Sequence, residues 1–147
     1  MIKENLKATG KLTIVLYDNK NNIKQTLEVP NLVVTTGLNY IASRMVDASA
    51  IVMSHMAVGI DNTATNTSQI SLLTEVSREE LLGALSTGSS ITYNATFGPS
   101  SGTGTLVEAG IFNAASSGTM LCRTIFPAIV KETDDILTIN WLVTVSQ

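Results

Sequence analysis

The stretch LTINWLVTV at residues 137–145 carries the clearest structural pattern in the chain. Every second residue is apolar, and most of the residues between them bear hydroxyl or amide groups. Successive side chains of a β-strand point to opposite faces of a sheet, so this alternation predicts a strand with one face in the core. The apolar set is Leu137, Ile139, Trp141, Val143 and Val145.

Shorter stretches of the same kind precede this strand along the chain. Strands are predicted at 12–17, 23–29, 53–60, 91–97, 106–112 and 120–126, with a short extended piece at 31–34. Turn residues occupy 18–22 and 113–118, and polar or glycine-rich loops occupy 61–71 and 98–104. Pro30 and Pro127 are expected to end the strands before them. About eight strands at this spacing predict an all-β fold, an antiparallel sandwich or a barrel-like sheet.

One segment has helical periodicity instead. Apolar residues recur there at the spacing of one helix face, which predicts a short amphipathic helix over about 36–47. Thr35 or Thr36 is expected to cap its N-terminus. The helix is expected to cover an open side of the sheet.

Residues 72–85 leave two interpretations open. Ser77 followed by Glu80 fits the start of a helical turn, whereas the run of charges fits an extended strand at a sheet edge. No linker or internal repeat divides the chain. We therefore predict a polar N-terminal arm over 1–10 and a single β domain over 11–147.

The composition favours contact with other proteins. Charged residues make up 14% of the chain, against about 25% in typical soluble domains. Neutral polar groups lose less hydration energy than ions when a partner covers them, although threonine is also common in any β-protein. The net charge of −3 and the scattered basic residues argue against direct binding of nucleic acid.

The single cysteine, Cys122, excludes an intramolecular disulfide and fits synthesis in a reducing cytoplasm. The N-terminal sequence MIKENLKATG lacks the apolar core of a signal peptide. The apolar runs are far shorter than the roughly 20 residues of a membrane span. Neither secretion nor membrane association is expected.

The sequence offers no catalytic, cofactor-binding or metal-binding set. His55 is the only histidine and has no His or Cys partner at short spacing, so we expect a structural or interface role for it. A pair of carboxylates suited to glycoside hydrolysis stays open, because sequence does not fix their separation. Most acidic residues, however, fall at expected turns or edges: Asp61, Glu75, Glu79, Glu80, Asp134 and Asp135.

Two motif-like stretches depart from the patterns they approach. GPSSGTG at 98–104 lacks the Lys-Ser/Thr ending of a phosphate-binding loop, so it is expected to be a mobile connection. Asp61-Asn62-Thr63 lacks the spaced acids of a calcium loop.

Glu108 differs from the other acids because it lies in an apolar strand. We expect it to pair with Arg123 on the neighbouring strand, across the 113–118 turn. Cys122 is expected to be a small core residue. These assignments are structural, and we expect a protein that is not an enzyme.

Two groups of segments resemble known proteins. The first is PNLVVTTG at 30–37, followed after the predicted helix by MAVG at 56–59. The second is ATFG at 95–98, EAGIFNA at 108–114 and GTMLCR at 118–123. Together they resemble small virion proteins of tailed bacteriophages. The second group is similar to the amino-terminal domain of phage tail-collar fibre proteins, which carries a Glu-x-Gly-Ile/Leu-Phe hairpin followed by a small turn.

The resemblance covers most of the chain from Asn31 onward, but no repetitive shaft of the collar-fibre kind is present. It therefore implies the particle-binding part alone, in a non-enzymatic virion protein assembled in the host cytoplasm. A capsid decoration or cement protein, bound to the major capsid protein, is the preferred form. The alternative is a neck, tail or baseplate adaptor that attaches fibres. The resemblance also implies a homo-oligomer, with a trimer at a local three-fold axis as one form.

A host-glycan binding module is a second alternative. It predicts that Tyr40 or Tyr93 is exposed beside polar loops.

Overall fold

The computed structural model describes residues 5–47 and 49–147, and within them it places nine β-strands and one helix. The elements in chain order are β1 Lys7–Tyr17, β2 Ile23–Val33, α1 Thr35–Ser43, β3 His55–Gly59, β4 Glu75–Glu80, β5 Gly83–Thr87, β6 Ser90–Phe97, β7 Gly104–Phe112, β8 Met120–Lys131 and β9 Ile136–Ser146. All strand pairs are antiparallel. The predicted all-β, barrel-like fold class is confirmed.

The predicted first hairpin is confirmed, with β1 paired to β2. Asp18 forms its turn by accepting the backbone N–H groups of Lys20 and Asn22 at 2.8 and 2.9 Å. Asn21 takes a positive φ of 62°, which asparagine tolerates better than most residues.

The N-terminal arm was predicted too long. Strand β1 begins at Lys7, and Lys7 to Gly10 pair with Ser146 to Val143 of β9. Backbone hydrogen bonding to the neighbouring strand orders this polar sequence although its side chains carry little apolar surface. Residues 1–4 of the predicted arm lie outside the described residues.

Neither proline ends its strand, which corrects both predictions. Strand β2 runs through Pro30 to Val33, and β8 pairs only with its last residues, Leu32 and Val33. Pro30 therefore interrupts no hydrogen bonds between β2 and β8. Pro127 lies in a bulge of β8, where the pairing skips from Ile125 to Ile129. Bulges and strand margins are where a missing backbone N–H is tolerated.

The strands form one curled sheet in the order β4-β3-β7-β8-β2-β1-β9-β6-β5. Strand β2 joins β1 along its first part and β8 at its end, so the sheet turns over at β2. We call β1, β9, β6, β5 and the first part of β2 the front half. The rear half consists of β8, β7, β3 and β4.

The ambiguous segment 72–85 is extended and supplies two strands, β4 and β5. The extended piece predicted at 31–34 is the end of β2, so the total within the described residues is nine strands. Strands β4 and β5 lie at opposite ends of the sheet, yet only Leu81 and Leu82 separate them in the chain. The Leu81 N–H donates to Ser54 O at 2.8 Å, beside β3, and the Leu82 N–H donates to Asn94 O of β6 at 2.9 Å. These two residues join the halves at one corner.

Both halves contribute to one hydrophobic core. Trp141 and Ile139 of the front half share a cluster with Met56 and Ile111 of the rear half. Phe97, Trp141 and Cys122 are fully buried, as the sequence predicts.

Helix α1 is shorter than predicted, ending at Ser43 instead of residue 47. The predicted threonine cap is also wrong, because Val34 occupies the N-cap position and makes no side-chain cap. Thr36 instead donates its hydroxyl to Met120 O of β8 at 3.1 Å. The helix thus lies against the rear half, and the apolar residues Met45 and Val46 beyond its end are 85% and 91% exposed.

Gly37 sets how closely α1 approaches β8, because a Cβ at this position would overlap the backbone carbonyl of Leu121. Gly37→Ala should therefore lower the free energy of unfolding by about 1–3 kcal/mol, the usual cost of overpacking. Urea titration measures the loss. Gly98→Ala is the matched control, since a Cβ there meets no atom within 4 Å, and its midpoint should stay near wild type. Equal midpoints for the two variants would contradict the close helix–strand contact.

Candidate functional site

The outer faces of the two halves differ in what covers them. Residues 60–74, which we call the cover loop, lie against the outer face of the rear half. Leu72 of this loop packs with Phe112, Ala57, Met120 and Val34 in a second small core cluster. The rear face is therefore filled by the chain itself.

A buried ion pair holds the cover loop in place. Glu108 of β7 and Arg123 of β8 are both fully buried, and Glu108 Oε2 lies 3.0 Å from Arg123 Nε and 2.8 Å from Nη2. This is the pair that the sequence predicts across the 113–118 turn, and the prediction is confirmed.

Each partner also bonds to the loop backbone. The Glu108 carboxylate accepts the N–H groups of Thr74 at 2.9 Å, Leu73 at 3.2 Å and Asp61 at 3.3 Å. The Arg123 guanidinium donates to the carbonyls of Thr63 at 2.9 Å and Asp61 at 3.2 Å. Burial of two charges costs several kcal/mol per ion unless the remaining bonding capacity is satisfied, and the loop backbone satisfies it here.

A second arginine binds the 113–118 turn to the same face. The Arg78 Cζ atom lies 3.8 Å from the centroid of the Phe112 ring, in the geometry of a cation–π contact. Arg78 also donates to the carbonyls of Ala114 and Ser117, both at 2.9 Å, and pairs with Glu75 at 2.6 Å.

The outer face of the front half carries neutral polar residues instead. The strand register places residues of β5, β6 and β9 in rows on the side opposite Trp141. We call this surface the neutral face; its residues are Gly83, Leu85, Thr87, Ser90, Thr92, Asn94, Thr96, Thr138, Asn140, Leu142 and Thr144. None of them is charged.

The nearest charged side chains lie on the neighbouring strands β1 and β2. There Lys11 and Glu28 form an exposed salt bridge of 3.3 Å. Within 5–47 and 49–147, one side-chain hydrogen bond of the neutral face is present, between the hydroxyls of Ser90 and Thr144. Asn140 and Leu142, on the β9 side of the face, are exposed. The hydroxyl and amide groups are therefore left to solvent or to a partner.

The other candidate residues have local contacts. His55 begins β3, and its Nδ1 lies 2.8 Å from the Ser54 hydroxyl. Asp61 accepts the N–H of Thr63 within its own turn at 2.8 Å. Asp135 pairs with Lys24 at 2.7 Å, and this hydrogen bond lowers the pKa of the Asp135 carboxyl. Burial raises the pKa of the Cys122 thiol.

The part of the chain that the structure describes brings no three His, Cys, Asp or Glu side chains together in a way that could hold a metal ion. Residues 98–103 of the GPSSGTG stretch form the connection from β6 to β7, where Ser100 and Gly102 take positive φ values, and Gly104 begins β7.

An apolar groove lies between α1 and β5, and sequence reasoning missed it. Its volume is about 620 Å³. Tyr40 and Ile41 of α1, Val52 and Met53 before β3, and Ala84 and Ser86 of β5 are among the residues that line it. Tyr93 lines it too, and burial raises the pKa of this side chain to about 12. Tyr40 and Tyr93 are thus half-buried beside apolar walls, unlike the exposed platforms expected of a glycan-binding module.

The chain matches no protein-family profile, no curated protein and no solved structure. Within the described residues, no helix combines the length and the hydropathy needed to cross a membrane.

The buried pair should dominate the stability of the rear face. Glu108→Ala leaves Arg123 charged and unpaired in the interior, so the free energy of unfolding should fall by about 3–5 kcal/mol. Urea titration gives this value, and amide hydrogen exchange should quicken at Leu73 and Thr74. Glu28→Ala, which breaks the exposed pair with Lys11, is the matched control and should change stability little. Similar losses in both variants would show that the buried pair does not hold the loop.

Proposed function

We propose that the chain is a non-enzymatic structural protein of a tailed-bacteriophage particle, and that it docks on the assembled capsid as a decoration or cement protein. The observation that carries this proposal is the contrast between the two outer faces. Residues 60–74 cover the rear face, and among residues 5–47 and 49–147 no segment covers the neutral face of the front half in the same way. The resemblance to small virion proteins supports the phage particle as the setting.

The neutral face suits a protein partner for a physical reason. Removing hydroxyl and amide groups from water costs less than removing ions, and such groups can donate and accept hydrogen bonds to a partner backbone. Leu85 and Leu142 add apolar contact within the same surface, at 68% and 37% exposure. A face of this kind can be covered by a partner without leaving unpaired charges.

A decoration protein stabilises its particle by mass action. It binds the assembled shell and not the separate subunits, so each bound copy favours the assembled state. Binding across adjacent capsomers would add avidity. A homo-oligomer, including a trimer at a local three-fold axis of the shell, stays a prediction.

The non-enzymatic assignment is supported by how the acids are used. Glu108 is bound to Arg123, Asp135 is bound to Lys24, and Asp61 completes a turn. Each of these carboxylates has a structural partner.

A charge placed on the neutral face tests the proposal. Asn140→Glu substitutes an exposed residue of the face, so it should leave the fold intact while weakening binding to capsids stripped of the protein by roughly tenfold or more. Co-sedimentation with the stripped capsids measures binding. Ser116→Glu adds the same charge in the exposed turn after β7 and should bind like wild type. Equal binding by both variants would remove the neutral face from the proposal.

The amount of the protein in purified virions separates the two virion roles. A copy number comparable with that of the major capsid protein supports decoration, and a far smaller number supports the neck, tail or baseplate adaptor. Quantitative mass spectrometry of virions from the encoding phage gives the ratio. Absence of the chain from those virions would refute both roles.

A further inference from the structure

The two edge strands of the sheet differ in how they are protected. Strand β4 carries Glu75, Arg78, Glu79 and Glu80, and charged side chains on an edge discourage pairing with another chain. Strand β5, with the sequence GALST, has neither a charge nor a proline. Its backbone edge therefore lacks the usual protection against an incoming strand.

The register shows which backbone groups of β5 are unpaired. A two-residue turn at Gly88 and Ser89 joins β5 to β6, and Gly88 takes a φ of 59°. The residues that flank such a turn exchange hydrogen bonds, so Thr87, Leu85 and Gly83 direct their N–H and C=O groups to β6. Those of Ala84 and Ser86 point away from the sheet, and within the described ranges no backbone group pairs with them.

The side chains of the same two residues line the apolar groove. Both are small, and the lining also includes Val52, which is 58% exposed, Met53, and one charged residue, Arg44. A strand laid beside β5 would place every second side chain in the groove next to Ala84 and Ser86. The backbone edge and the groove thus fit a single extended occupant.

We propose that β5 binds an extended segment of another protein by strand addition, with large apolar side chains at alternate positions filling the groove. Main-chain hydrogen bonds to Ala84 and Ser86 supply affinity, and the groove selects the apolar side chains. A second copy of β5 fits less well, since the side chains that it brings to the groove are only Ala84 and Ser86. This inference goes beyond the proposed function, because it concerns a surface on the opposite side of β5 from the neutral face.

The test uses the purified chain and a library of short random linear peptides. Selection should recover peptides with large apolar residues at alternate positions. Ser86→Pro removes an outward N–H and places the proline ring in the path of the added strand, while the bonds to β6 are kept. The recovered peptides should bind this variant about tenfold more weakly or worse. Leu85→Thr, whose side chain lies on the neutral face, should bind them like wild type.

A second variant changes the groove without touching the edge. Val52→Asp introduces a charge at an exposed wall position, so it should fold normally and also lose at least about tenfold in peptide affinity. Thermal unfolding of each variant checks the fold. Peptides that bind Ser86→Pro and Val52→Asp as tightly as wild type would overturn the proposal, as would a selection that yields no binder.

Sedimentation of the free chain addresses the second-copy arrangement. Wild type and Ser86→Pro should sediment alike. A wild-type dimer that is lost in Ser86→Pro would show that a second copy occupies the edge of β5, and this result would overturn the proposal. No capsid is present in these assays, so their outcome is independent of whether the neutral face docks on a particle.

Discussion

The buried pair of Glu108 and Arg123 is the interaction on which the arrangement of the rear half depends. Two opposite charges at full burial are tolerable only when their other hydrogen-bonding positions are also filled. The backbone of residues 60–74 fills them, since its N–H groups meet the carboxylate and its carbonyls meet the guanidinium. A largely polar loop, in which Leu72 is the buried apolar contact, thereby becomes a fixed part of the fold.

The fixed loop determines which surfaces are left for other molecules. Leu72 and the Arg78–Phe112 contact add to the cover of the rear face, so the uncharged surface that stays open lies on the front half. There the polar rows of β6 and β9 offer uncharged donors and acceptors, and β5 adds an open backbone edge. The buried ion pair and the charged edge strand β4 belong to the rear half, whereas β5 and the outer-face rows of β6 and β9 carry no charged side chain.

Much of this could be predicted from the sequence, for identifiable reasons. The alternation around Trp141 predicts β9, and an acid and an arginine in apolar strands on either side of one turn predict their own pairing. The predictions that Pro30 and Pro127 end their strands were wrong. A proline interrupts a strand only where a neighbouring strand would bond to its missing N–H, and this depends on the register. Strands β4 and β5 are charged or small-residue sequences with little alternation, and the groove draws on α1, β5 and residues near 52, which are distant in the chain.

The corner at Leu81 and Leu82 has a mechanical consequence. Leu81 is bonded beside β3 and Leu82 is bonded to β6, so at this point one peptide link holds the rear and front halves together. Strand β5 begins directly after this corner, so its Gly83 end is tethered to the rear half through the chain, whereas its Thr87 end, four residues further on, is tethered through β6.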